Sequence, residues 1–136
     1  MLDLATLHRR ARRVLPLQID TCRVVLDAAG EAGLAALLLP LRHRHCGSIV
    51  FELSRDTVSV LRARSLAFLQ DARTAREGLG RRSAPLAYDA WRPMAAHPAS
   101  GFITTSRDRH ACLRLDLRGG LAIYAWDDAA SIAPLH

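Results

Sequence analysis

The sequence predicts one small α+β domain: antiparallel sheet from a central and a C-terminal hairpin, covered by an N-terminal and a central helix. Three observations carry this prediction. Apolar residues recur at helical spacing over residues 4–15, they alternate with period two over 47–62, and they alternate again on either side of Gly119-Gly120. A chain of 136 residues fits one domain and can bury a core without disulfide staples.

The N-terminal helix comes first. At about 100° per residue, Leu4, Leu7, Ala11, Val14 and Leu15 fall within about 50° of one direction. Arg9, Arg12 and Arg13 fall on the far side, with His8 and Arg10 at the flanks. Asp3 is suited to cap the helix and Pro16 to stop it. Residues 17–41 admit two readings. Asp20 and Thr21 can cap a helix through Val24, Val25, Ala28 and Ala29, or Cys22–Asp27 and Leu34–Leu39 can form a hairpin. Gly30 and Gly33 each cost the helix about 1 kcal/mol relative to alanine. The alanines at 28, 29, 32, 35 and 36 tip the balance toward helix.

From Gly47 the period changes. Ile49, Phe51 and Leu53 alternate with Val50, Glu52 and Ser54, Arg55-Asp56 offers a turn, and Val58, Val60 and Arg62 suggest the returning strand. Ser65 then reads as the cap of a helix through Leu66, Leu69, Ala72 and Ala75 or Arg76, ending at Gly78 or Gly80. Residues 81–100, punctuated by Pro85, Pro93 and Pro98, read as a long surface loop anchored by Trp91. Gly101–Ser106 is a candidate strand. Leu113, Leu115 and Leu117 alternate with Arg114 and Asp116, Gly119-Gly120 supplies a two-residue turn, and Leu121, Ile123 and Ala125 alternate with Tyr124 and Trp126. Asp127-Asp128 ends that strand.

Charge narrows the chemistry. All nineteen cations are arginine and the net charge is +6; the lack of lysine and asparagine points to a GC-rich, bacterial coding background. Without lysine there is no Schiff base and no P-loop phosphate lysine. Arginine still reads carboxylate or phosphate bidentately, and the basic balance favours an acidic partner or nucleic acid. No apolar run reaches the ~18–20 residues of a bilayer span. Three cysteines without framework spacing and an N-terminus broken by arginines point to a reducing, cytoplasmic setting.

Five groups of residues are candidate sites. The basic face of Arg9, Arg10, Arg12 and Arg13 suits phosphate or carboxylate contacts, against the simpler reading of a solvated helix face. His43, His45 and Cys46, with His110 and Cys112, would offer nitrogen and sulfur ligands if two extended strands lay side by side, although the spacing matches no standard metal motif. Cys46 or Cys112 beside a histidine could form a thiolate dyad, with only adjacency in its favour. Asp127 and Asp128 sit at a strand end, where solvation is the simpler account. Trp91, Arg92, Pro93 and Met94 combine residue types enriched at protein contacts, unless Trp91 plugs the loop onto the core. Together these features predict a non-enzymatic binding protein, without a cofactor, that docks an acidic protein partner or self-associates. An arginine-mediated nucleic-acid binder is the second reading, and a small metal or thiol enzyme the third.

Overall fold

A computed structural model describes residues 4–25, 46–72, 74, 91–96, 101–107 and 109–127, with Leu7, Arg10, Cys46 and Leu66 described by their backbone only. The predicted Asp3 cap, residues 26–45 including His43 and His45, the stretch 75–90 and Asp128 lie outside the described residues. The chain runs α1 (Leu4–Ala11), a 3-10 turn (Arg12–Val14), β1 (Thr21–Val25), β2 (Cys46–Leu53), α2 (Arg55–Ala63), α3 (Ser65–Asp71), β3 (Ala95–Ala96), β4 (Gly101–Thr105), β5 (Ala111–Asp116) and β6 (Leu121–Asp127). The two predicted hairpin regions belong to one six-stranded sheet, ordered β1-β2-β6-β5-β4-β3, with every pairing antiparallel. The joint is β2 against β6, where Ile49 faces Tyr124 and Phe51 faces Ala122.

Directly opposed residues share a sheet face, so the register sorts the side chains. Val24, Ile49, Phe51, Leu53, Ala111, Leu113, Leu115, Ala122, Tyr124 and Trp126 are buried in one cluster. Ala11, Val14, Leu61, Leu69 and Ala72, from the helical segments, join that same cluster. Of the two alternating sets on β6, the one bearing the large rings goes inward, because each ring removes more apolar area from water than the Leu121, Ile123 and Ala125 set offers per residue. Those three stay half-exposed.

Four sequence expectations need correction. Residues 21–25 form a strand rather than the start of a helix: Val24 pairs with Phe51 and Val25 with Val50, so β-branched residues in a ladder override the alanines downstream. The returning strand expected at Val58–Arg62 is α2. Ser54 is extended and its hydroxyl accepts from the Thr57 amide at 3.1 Å, while Asp56 and Arg62 suit the two ends of the helix dipole. Thr57 and Leu61 are buried one turn apart, and Val60, whose alternation with Val58 suggested a strand, is 38% exposed. Ser65 is not a cap but the first residue of α3, since Arg64 takes the cap position without a side-chain bond. The β5–β6 turn holds four residues, not two. Asp116 faces Leu121 across its ends, and the Asp116 carboxylate accepts from the amides of Arg118 and Gly119 at 3.0 and 3.3 Å. Within α1, Ala11 is buried as expected, but Leu4 is 65% exposed because the first turn reaches past the core.

The Ser54 cap gives a direct test of this assignment. Ser54→Ala is expected to cost about 1 kcal/mol of unfolding free energy, and Ser54→Asp to retain most of it. Urea unfolding followed by circular dichroism measures both; equal stability of wild type and the alanine variant would mean that the cap does not hold α2.

Candidate functional site

The structure separates most of the residues that the sequence groups together. On α1 and the 3-10 turn, Arg9 is exposed but Arg12 and Arg13 are half-buried. Arg12 Nη1 lies 3.4 Å from Asp20 Oδ1. Asp20 is itself tied to the start of α2, its amide donating to Thr57 Oγ1 at 3.1 Å and its carbonyl accepting from the Ser54 amide at 3.0 Å. One of the four predicted arginines therefore serves an internal ion pair, and the face is not a uniform cationic patch. Arg10 lies on α1, and its side chain is outside the described residues.

Trp91 is 2% exposed, its Nε1 donating to the Val14 carbonyl at 3.2 Å. Its ring meets Tyr124 edge-on at 6.0 Å. Trp91 thus anchors its segment on the core and presents no indole surface for a partner, whereas Arg92 is exposed.

The His/Cys grouping fares no better. The strands that carry Cys46 and Cys112 are not neighbours, because β6 lies between β2 and β5. Cys112 is 1% exposed, which closes it to a substrate, and His110 Nδ1 sits 3.0 Å from the Asp127 carbonyl. Among the described residues no three His, Cys, Asp or Glu side chains gather as metal ligands.

The structure builds a different site from arginines that the sequence scatters. An open groove of 610 Å³ lies where β1, β2, α2 and the β5–β6 turn meet. One wall is a stripe of α2, Arg55, Val58, Ser59 and Arg62, at the three- and four-residue spacing that shares a helix face. The other side carries Arg23 and Val25 from β1, Glu52 from β2, and Gly119, Gly120 and Leu121 from the turn. Helical rise places Arg55 and Arg62 about 10 Å apart along the axis.

The groove is cationic on balance. Arg23 is ion-paired with Glu52, the only carboxylate among the described residues lining the groove. Arg62 Nη2 donates to the Leu117 carbonyl at 3.3 Å, and Arg55 makes no hydrogen bond among the described residues. A guanidinium has five N–H donors, so each of the three keeps most of its donors for a ligand. The apolar contribution among the described residues comes from Val25, Leu53, Val58 and Leu121. Such a lining suits a ligand carrying carboxylates beside apolar groups. Among the described lining residues none pairs a nucleophile with a base.

Sequence reasoning missed this groove because Arg23 is far from Arg55 and Arg62 in the chain and Arg62 sits in a segment read as strand. No family model, curated protein or solved structure matches this chain.

Proposed function

We propose that the protein is a non-enzymatic binding protein that docks an acidic segment of a protein partner in the arginine-lined groove. The carrying observation is the convergence of Arg23 from β1 with Arg55 and Arg62 from α2 on one groove, where the only carboxylate among the described lining residues, Glu52, is already paired. Planar guanidiniums bind carboxylates bidentately, and such charge-assisted bonds are about twice as strong as neutral ones. The lining also weighs against nucleic acid. Single strands are held by base stacking on aromatic rings, and no described residue of the groove is aromatic, whereas Val25, Leu53, Val58 and Leu121 give apolar contacts that a phosphate backbone does not need.

The test compares native isolates of the wild type and the Arg55→Glu/Arg62→Glu variant. A stoichiometric protein with acidic segments is expected to accompany the wild type and to fall at least about tenfold in the variant, since each lost charged contact is worth roughly 1.5–3 kcal/mol. Equal recovery with both proteins would remove the groove from the account. Nucleic acid that leaves with moderate salt, with no protein present, would replace the reading with an arginine-mediated nucleic-acid binder.

A further inference from the structure

The groove holds an ion pair of its own. Arg23 on β1 faces Glu52 on β2 across the ladder, and Arg23 Nε donates to Glu52 Oε2. Both side chains line the groove and both reach solvent, at 69% and 40% of full exposure. Directly opposed residues keep their Cβ atoms about 4.5–5.5 Å apart, so Glu52 stays within reach of Arg23 through ordinary side-chain motion. The other two guanidiniums have no carboxylate. Arg62 meets the Leu117 carbonyl, and Arg55 makes no hydrogen bond or ion pair among the described residues. Three positive charges thus face one negative charge among the described lining residues, and two are left unanswered.

Building on the acidic-partner reading, we infer that Glu52 sets the number of acidic residues the groove accepts. It answers Arg23 from within, and the bound segment supplies two carboxylates, one to Arg55 and one to Arg62. A third carboxylate arriving at Arg23 has to displace one that is tethered beside it and competes at high effective concentration. Once displaced, Glu52 stands as a like charge next to the newcomer, which weakens binding further. Arg23 keeps N–H donors for neutral acceptors such as the backbone carbonyls of the segment. Glu52 is thereby a specificity-determining residue: a doubly acidic segment satisfies the groove, and a longer acidic run gains nothing from it.

The two open arginines also set the spacing. Arg55 and Arg62 stand about 10 Å apart along the α2 axis, which about three extended residues span. The reach of the arginine side chains absorbs the alternating side-chain direction of an extended segment. Val58 lies between them on the same wall. The recognised pattern is therefore two acidic residues separated by two others, with an apolar side chain between them for Val58.

Fluorescein-labelled peptides test the inference by anisotropy. The set comprises a Gln-Val-Leu-Glu core, a Glu-Val-Leu-Glu core, and the second core with a third glutamate about three residues before or after it, all in one neutral Gly/Ser frame. On the wild type the second glutamate is expected to tighten binding about tenfold, and the third by less than about twofold in either position. On Glu52→Gln the third glutamate is expected to gain about tenfold in one of the two positions, and adding Arg23→Gln to that variant to abolish the gain. Each gain is a ratio of two peptides on one protein, so a change in folding stability cancels. If the third glutamate gains as much as the second on the wild type, or gains nothing on Glu52→Gln, while Arg55→Glu/Arg62→Glu releases the doubly acidic peptide, the Glu52 inference fails and the groove stands. If the wild type binds neither core, or Arg55→Glu/Arg62→Glu binds as the wild type does, the groove reading and the inference fall together.

Discussion

Replacing Trp91 with alanine is expected to lower the unfolding free energy by about 4 kcal/mol, the range found when a fully buried aromatic ring is truncated. The indole is 2% exposed, and its Nε1 bonds the Val14 carbonyl at the end of the 3-10 turn, so its loss opens a cavity and also orphans a backbone acceptor. The ring also holds Tyr124 edge-on, and Tyr124 in turn lies 5.7 Å from Trp126, so three aromatic side chains are coupled across the core. Domains of this size commonly hold about 5–15 kcal/mol, and the variant would sit close to the threshold for unfolding. Trp91→Phe keeps most of the apolar area and loses the hydrogen bond, so it is expected to cost about half as much. Urea denaturation followed by far-ultraviolet circular dichroism gives both values. A cost below about 1 kcal/mol for the alanine variant would mean that the ring is not held in the core and is free for a partner.

Trp91 also marks the boundary of what the sequence could tell. A tryptophan in a proline-punctuated stretch offers either an anchor or a contact residue, and only burial decides between them. The β5–β6 hairpin was legible because Leu113 and Leu115 alternate with polar residues up to a glycine pair. Its turn was lengthened by an aspartate that bonds two turn amides, a detail that pattern reading passes over. β1 was obscured by its context: five β-branched or neighbouring residues precede an alanine-rich stretch whose helix propensity dominates any window that includes both.

α2 was hidden for the opposite reason. Val58 and Val60 mimic strand alternation, although Ser54 three residues before Thr57, with Asp56 between them, carries the cap of a helix. That misassignment concealed the groove, since Arg55 and Arg62 share a wall only when the segment is helical. Arg114 posed a different difficulty. As the polar member of an alternating strand it looks ordinary, and its buried Nε, without a hydrogen-bond partner among the described residues, emerges only once β4, β5 and β6 are assembled around it.

The sheet that holds Arg114 depends on a close approach at the start of β4, and Gly101→Ala is expected to disrupt it. Gly101 has φ of 141°, a region that side-chain-bearing residues rarely adopt, and it pairs with Asp116 at the end of β5. A Cβ placed there would lie 2.0 Å from the Leu115 carbonyl oxygen and 3.1 Å from its carbon. Both atoms belong to the neighbouring backbone, so relief requires β4 to move away from β5 and lengthen the ladder bonds between them. Strain and lost pairing together are expected to cost at least about 3 kcal/mol. Gly120 provides the matched comparison. It also has positive φ, 65°, but a Cβ there meets nothing within 4 Å, so Gly120→Ala carries only the conformational penalty of about 1 kcal/mol. Hydrogen exchange should show the β4 and β5 amides of the Gly101 variant losing protection first, while β1 and β2 keep theirs. Equal stability of the two variants would instead mean that the β4–β5 approach is loose enough to admit a methyl group. Arg114, which faces Ile103 across that same ladder, would then sit on a yielding strand.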